Sequence, residues 1–230
     1  MTTFKQTELL IELVDNPTIS ICFEALMNNN NAFRHINKKT INKIKIAYLE
    51  KDPLAKKVLL LIKKHQINAV SKNGLELSKF KFQIQKACKI AVRQNYLALQ
   101  FVKNQTIDII LAACLKNRKA LIFVHNPTPE IYMAVFKQDG LALHNVRNQT
   151  HEICMAAVNQ NGLALQYVKE KTFEIYVAAI NQNLYAVKHI DNNDLIKASN
   201  QLPNNSCEQF LKYINSKITH ARSLVSSYTM

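Results

Sequence analysis

The sequence has no tryptophan and holds only three glycines and five prolines among 230 residues. Sheets joined by tight turns need many glycines and prolines. The scarcity of these two residues argues against a turn-rich all-β fold and favours a mostly helical one. A glycine-rich phosphate loop is excluded because Gly74, Gly140 and Gly162 stand far apart. With 48% hydrophobic and 20% charged residues, the composition is that of a folded chain.

Long apolar runs and paired cysteines are missing as well. The longest strictly aliphatic run is Val58 to Ile62, far short of a membrane span, and the first residues lack the pattern of a signal peptide. Five cysteines are an odd number for a disulfide framework, and their spacing matches no metal signature. We therefore expect a soluble protein of a reducing intracellular compartment, without a transmembrane segment, cofactor or metal.

What the sequence does contain is a 22-residue repeat. Thr106, Thr128, Thr150 and Thr172 share one column, and a second column holds alanines from Ala25 to Ala179 with Val135 among them. The same spacing gives eight repeats that start at residues 18, 40, 62, 84, 106, 128, 150 and 172. The predicted organisation is an N-terminal cap helix at 1–17, the repeats at 18–193, and C-terminal cap helices at 194–230.

The columns predict two short helices in each repeat. The threonine is expected to be the N-cap of the first helix, and Pro129 with Glu130 suits a first helical turn. Asn161-Gly162 is expected to end that helix in the left-handed cap conformation, and Ala164 with Leu165 begins the inner face of the second helix. Helices this short are marginal alone, so neighbouring repeats must stack. The predicted fold is all-α, an α-solenoid.

One copy also carries a family resemblance. The segments 148–154, 161–165 and 168–169, which read NQTHEIC, NGLAL and VK, resemble a family of tandem helical repeats known as a domain of unknown function. This family is frequent in giant viruses of amoebae and in some bacteria, including amoeba-associated ones. The likeness is good over 84–190 and poor over 18–83. It implies a repeat scaffold without established activity, from a virus or a host-associated bacterium, and hence host cytoplasm or virion if viral.

The positive charge is concentrated in one part of the chain. Between Arg34 and Arg93 there are 16 basic and 3 acidic residues, whereas the rest of the chain has 14 basic and 13 acidic ones. A field of this sign attracts an acidic surface or a polyanion. The candidate partner-binding residues are Lys38, Lys39, Lys43, Lys45, Lys56, Lys57, Lys63, Lys64, Lys79, Lys81, Lys86, Lys89 and Arg93.

Three interpretations of this cluster stay open. It is a solvated face in a chain rich in lysine and asparagine, a docking face for an acidic protein or membrane, or a phosphate-contacting surface for nucleic acid. Only Arg34 and Arg93 in the cluster are arginines, and tryptophan is absent, which argues against base-specific recognition. The first hypothesis is a non-enzymatic scaffold that binds an acidic protein. The alternative is a solenoid that binds nucleic acid without sequence preference.

A second charge pattern runs through the repeats. Lys81, Lys103, His125, Arg147 and Lys169 form one column, and an acidic column of Asp108, Glu130, Glu152 and Glu174 follows five residues after the last four of them. The two columns predict either a surface charge ladder of small energetic value or a row of ligand-binding groups.

Catalytic, cofactor-binding and metal-ligating sets are not recognisable. Cys22, Cys88 and Cys154 share a column on the predicted inner face of the first helix, which is typical of cysteine acting as a small buried hydrophobe. The histidines have no ligand spacing. We expect no enzymatic activity, with a site assembled across repeats as the remaining enzymatic possibility.

The alanine column gives a direct test of stacking. Ala157→Phe is expected to lower the free energy of unfolding by about 1–3 kcal/mol, because the larger ring overpacks a closely approached helix. Urea unfolding of the variant measures this. An unchanged midpoint would mean that the column is not buried.

Overall fold

The computed structural model describes residues 17–28, 32–191, 209, 212–217 and 219–220. Within these ranges the fold is all-α, and no residue belongs to a strand. The predicted N-terminal cap helix at 1–17 lies outside the described residues apart from Pro17. Of the predicted C-terminal cap at 194–230, only 209, 212–217 and 219–220 are described, and they are helical.

Two kinds of helix follow each other along the chain. The α-helices are α1 Ile19–Asn28, α2 Lys38–Leu49, α3 Pro53–Lys72, α4 Gln85–Gln94, α5 Ile107–Lys116, α6 Pro129–Phe136, α7 His151–Gln160 and α8 Phe173–Gln182. The 3₁₀-helices are η1 Ala32–His35, η2 Gly74–Lys79, η3 Tyr96–Phe101, η4 Arg118–Phe123, η5 Gly140–Asn145, η6 Gly162–Tyr167 and η7 Leu184–His189. From η2 onward, the second helix of each pair is thus a six-residue 3₁₀-helix. Such tight helices occur in short pieces because their hydrogen bonds are poorer.

The chain divides into two compact units, Met1–His125 and Asn126–Met230. In the first unit α1 and α2 pack on α3, α3 on α4 and α4 on α5, while η2, η3 and η4 contact each other in sequence. In the second unit α6 packs on α7 and α7 on α8, and η5, η6 and η7 follow the same order. From α2 and from η2 onward, each element contacts the next element of its own kind within its unit, whereas α1 packs on α3.

The helices near the start of the chain depart from the expected pattern. Thr40 was expected to be an N-cap, but α2 begins at Lys38 and its cap is Asn37, whose side-chain oxygen accepts from the Thr40 amide at 2.9 Å. The 20-residue α3 starts at Pro53, with Asp52 as its cap, and runs through Ile62, where a repeat was expected to begin. Asp52 and Pro53 are both favoured at a helix start, so local capping chemistry overrides the repeat spacing here.

The first helix of a repeat does not end in the left-handed conformation. Asn161 has φ −148° and ψ 107°, and no described glycine has a positive φ, so the expected left-handed cap is wrong. The asparagine instead caps both the α-helix before it and the 3₁₀-helix after it. Its backbone N–H donates to the Ala157 carbonyl at 2.9 Å, and its side-chain oxygen accepts from the backbone N–H of Leu163 at 3.1 Å. The same pair of bonds is made at Asn73, Asn95, Asn117, Asp139 and Asn183.

Glycine at the next position is required by space. A Cβ atom on Gly162 would collide with the carbonyl oxygen of Ala179, and one on Gly140 with that of Ala157. Both alanines are fully buried. The glycine and the small alanine therefore allow a 3₁₀-helix to lie against the end of the following α-helix, whose carbonyl comes too close for any side chain.

Glutamines just before the α-helices connect successive loops. The Gln83 amide group donates to the carbonyls of Leu77 at 3.2 Å and Phe101 at 2.8 Å, and its oxygen accepts from the Lys103 amide at 3.0 Å. The corresponding bonds from Gln105 reach Leu99, Phe123 and His125, and those from Gln149 reach Tyr167 and Lys169. One glutamine side chain thus forms hydrogen bonds with backbone groups in two loops. Backbone groups that are buried without a partner destabilise the fold.

Removing one of these glutamine bridges should destabilise the first unit. Gln83→Met keeps the length of the side chain but leaves three backbone groups without their partner, and we expect a loss of about 1–3 kcal/mol in the free energy of unfolding. Urea unfolding measures the loss. The control is Gln85→Met on the exposed start of α4, expected within about 0.5 kcal/mol of the unchanged chain. Equal effects of the two substitutions would contradict a bridging role.

Candidate interaction surface

The candidate partner-binding residues all lie in the unit that comprises residues 1–125. We call these thirteen residues the basic surface. Its members lie on α2 (Lys38, Lys39, Lys43, Lys45), on α3 (Lys56, Lys57, Lys63, Lys64), at the end of η2 and just after it (Lys79, Lys81), and on α4 (Lys86, Lys89, Arg93). All are exposed except the half-buried Lys89.

Helix α3 has a sharply divided surface. Its buried side holds Ala55, Val58, Ile62, Gln66 and Val70, at the spacing of one helical face. The opposite side carries Lys56, Lys57, Lys63 and Lys64, and Leu60 lies among them with 56% of its surface exposed.

Helix α2 repeats this arrangement. Ile44 and Ile41 are buried, whereas Ile46 and Leu49 are 57% and 78% exposed. The spacing of three, four and seven residues places Ile46 on the same face as Lys39 and Lys43. Both helices therefore combine ammonium groups with aliphatic groups on their outer sides.

A few members of the basic surface have partners. Lys79 forms an ion pair with Glu76 at 2.5 Å, and Glu76 also binds Arg34 at 2.9 Å. Lys89 lies 3.4 Å from Asp108, and the Lys45 ammonium lies 5.3 Å from the centre of the Phe82 ring. The other members have no carboxylate partner among the described residues. Most of the positive charge on α2 and α3 is thus left uncompensated.

In the basic and acidic columns of the second charge pattern, side chains form hydrogen bonds to loops and helix starts and not to each other. The ammonium groups of Lys103 and Lys169 donate to the backbone carbonyls of Lys81 and Arg147, at 2.7 and 2.6 Å. In the acidic column, a hydrogen bond from the Thr128 hydroxyl lowers the pKa of Glu130. These bonds hold neighbouring loops and helix starts. Of the two alternatives, the charge ladder is not observed among the described residues: no ion pair joins a basic member to the acidic residue five positions later, and Asp108 pairs with Lys89 instead.

A cavity of about 380 Å³ opens beside α3. Its lining residues are Phe33, Arg34, Lys64, His65, Asn68, Ala69 and Lys72. Of these residues, only Lys64 is among the candidates predicted from the sequence, whereas Arg34, His65, Asn68 and Lys72 are not. One sequence signal could have predicted that Asn68 and Lys72 belong with Lys64. The three residues follow one another at intervals of four, and this spacing places them on one side of a helix.

A second cavity, of about 230 Å³, lies in the unit 126–230. Cys154 and His151 both line it. Burial, with the nearby Glu170 charge as a smaller cause, raises the pKa of the Cys154 thiol to about 11. The thiol is therefore protonated at neutral pH and is a poor nucleophile.

The other described cysteines are similar. Cys22, Cys88 and Cys114 are buried and form no disulfide, and burial raises the pKa of Cys22 and of Cys88 to about 11. Cys207 lies outside the described residues. Among the described residues, no three His, Cys, Asp or Glu side chains come together as metal ligands would. In the same part of the chain, no helix combines the length and apolarity needed to cross a membrane.

The chain matches no protein-family model, no curated protein and no solved structure. The resemblance to a tandem helical repeat family therefore stays a prediction. So do the viral or bacterial source and the compartment that it implies.

The buried thiols predict slow reaction with thiol reagents. In a Cys207→Ala variant, we expect a disulfide reagent at pH 8 to modify the remaining cysteines only slowly while the chain is folded, because they are buried and protonated. Absorbance of the released thiolate measures the rate. Full modification within seconds should follow addition of denaturant. Equally rapid modification of the folded chain would contradict the burial of this cysteine column.

Proposed function

We propose that this chain is a non-enzymatic α-solenoid scaffold, made of eight two-helix repeats with terminal cap helices, which binds an acidic protein through its basic surface. The partner docks on the outer sides of α2 and α3. The observation that carries this proposal is the combination, on those two helices, of uncompensated lysines with exposed Ile46, Leu49 and Leu60. The expected setting is a reducing intracellular compartment.

The pattern of contacts supports the scaffold part of the proposal. From α2 and from η2 onward, helices contact the next helix of the same kind within each unit, and glutamine side chains connect consecutive loops. Contacts restricted to neighbours are the defining property of solenoid proteins, which commonly present extended binding surfaces. The Gly–Ala close approach between a 3₁₀-helix and the following α-helix recurs in both units, as stacking of similar repeats requires.

The aliphatic groups favour a protein as the partner. Three aliphatic side chains more than half exposed would lose contact with water on docking, which is favourable against the apolar centre of a protein interface. The surrounding lysines would then face carboxylates at the rim and speed the encounter. A phosphate backbone offers no comparable apolar surface. An acidic protein with an apolar centre uses both features of the surface.

Nucleic acid remains the second candidate because of the lysines alone. Exposed ammonium groups on α2, α3 and α4 suit phosphate contacts without sequence preference. In that case the lysines would be essential and the aliphatic side chains dispensable. The two candidates therefore differ in which substitution abolishes binding.

The test compares four forms of the chain as bait in a lysate, with and without nuclease. The first is unchanged, and the second is Lys56→Glu/Lys57→Glu/Lys63→Glu. The third, Ile46→Ser/Leu49→Ser/Leu60→Ser, keeps every charge. The control, Lys116→Glu/Lys119→Glu/Lys137→Glu, makes the same change in net charge at exposed lysines outside the basic surface.

We expect a nuclease-resistant acidic protein to be recovered by the unchanged chain and the control. Its recovery should fall by about tenfold or more with the charge reversal and with the serine variant, since loss of about 1.4 kcal/mol gives a factor of ten. Recovery of nucleic acid by the serine variant but not by the charge reversal would support the second candidate. Identical recoveries from all four forms would refute both.

A further inference from the structure

The cavity beside α3 has the chemical lining of an anion site. Arg34 reaches it from η1, while Lys64, Asn68 and Lys72 reach it from consecutive turns of α3. Its seven lining residues include three permanently cationic side chains and no carboxylate. Arg34 is paired with Glu76, whereas Lys64 and Lys72 have no carboxylate partner among the described residues, so an anion between them relieves their repulsion. Unlike the broad basic surface, these groups surround a concave space.

Arg34 is held in place by an ion pair with Glu76, and 30% of its side-chain surface stays exposed. One terminal nitrogen of its guanidinium donates to a Glu76 oxygen at 2.9 Å, across 42 residues of sequence. The Nε atom is buried and has no hydrogen-bond partner among the described residues. The buried Nε atom has no contact with solvent and cannot reach a ligand, so the terminal N–H groups of the guanidinium are the ones that would donate to an anion in the cavity. Glu76 is not among the lining residues and so does not occupy the space itself.

His65 and Phe33 form the less polar part of the lining. Their rings are stacked, with centroids 5.6 Å apart and planes 5° apart, and Phe33 is only 4% exposed. Burial and then the Lys64 charge lower the pKa of His65, so its ring is neutral at pH 7. The charged groups around it are Lys64, Arg34 and Lys72, with Glu76 bound to Arg34. A neutral imidazole offers both a donor and an acceptor beside the cations.

We propose that this cavity binds a small phosphate monoester, with the phosphate group held by Arg34, Lys64, Lys72 and Asn68 and the organic group lying towards Phe33 and Ala69. Three cations and an amide suit a dianion with three terminal oxygens better than a carboxylate with two. A volume of about 380 Å³ is in the range of small-molecule sites and exceeds what a bare phosphate fills. This site goes beyond the proposed scaffold function and does not depend on it.

The experiment titrates the full chain with phenyl phosphate, inorganic phosphate and benzenesulfonate at constant ionic strength. Calorimetry gives the affinities, and NMR signals of the His65 ring report where binding occurs. The site variant is Lys64→Met/Lys72→Met, which removes two cations from the lining. The matched control is Lys56→Met/Lys63→Met, which removes two exposed lysines of the same helix that do not line the cavity.

We expect phenyl phosphate to bind most tightly and to raise the pKa of His65, because a bound anion favours the imidazolium form. The site variant should bind about tenfold more weakly, whereas the control should change by about twofold or less, since exposed charges at a distance contribute little. Equal binding of benzenesulfonate would overturn the choice of phosphate, and equal binding of inorganic phosphate would overturn the role of the apolar side. Unmoved His65 signals, or equal losses in both variants, would overturn the site itself. All of these outcomes are independent of whether a protein is captured by α2 and α3.

Discussion

Backbone amides and carbonyls in the loops between these short helices depend on side chains from neighbouring segments. An element of six to ten residues leaves many of its terminal groups without a partner inside the element. Gln83, Gln105 and Gln149 provide those partners across a distance of 18 to 20 residues, while an asparagine or aspartate links each of the helices α3 to α8 to the following 3₁₀-helix. A single repeat removed from its neighbours would lose these bonds. The hydrogen bonding of the chain is therefore as much a product of stacking as its core is.

The same constraint explains why small residues recur. Gly74, Gly140 and Gly162 each start a 3₁₀-helix at a point where the carbonyl of the following α-helix leaves no room for a Cβ atom. Hydrophobic burial supplies the driving force, and it acts on columns of Ala, Leu and Val that are almost wholly buried. On the exposed sides of the helices, the side chains are not constrained by packing in the core. Their chemistry can therefore differ between the two units, and the lysines of α2 and α3 are the clearest example.

Much of the fold could be predicted from the spacing of residues alone. All-α class, the starts of α5 to α8 and the burial of the cysteine column were each expected from a periodicity that only helices satisfy. The sequence did not predict that the second helix of each repeat is a 3₁₀-helix, because six residues are too few for their periodicity to distinguish α from 3₁₀ geometry. The start of α3 was missed since Asp52-Pro53 acts locally and outside the repeat. For the candidate site, the charge asymmetry identified the basic surface, but not which of its lysines have partners.

Sequence by itself determined what depends on composition and spacing: a helical chain, a repeated core and a basic first half. Only the tertiary structure decided which groups meet. Arg34 and Glu76 are far apart in sequence, and nothing in their types predicts their 2.9 Å ion pair or the cavity that Arg34 lines with Lys64 and Lys72. Exposure of Ile46, Leu49 and Leu60 likewise follows from where α2 and α3 pack, since an aliphatic residue on a helix is buried or exposed only through its neighbours. Periodicity is a property of one segment, whereas a site is formed by the packing of several.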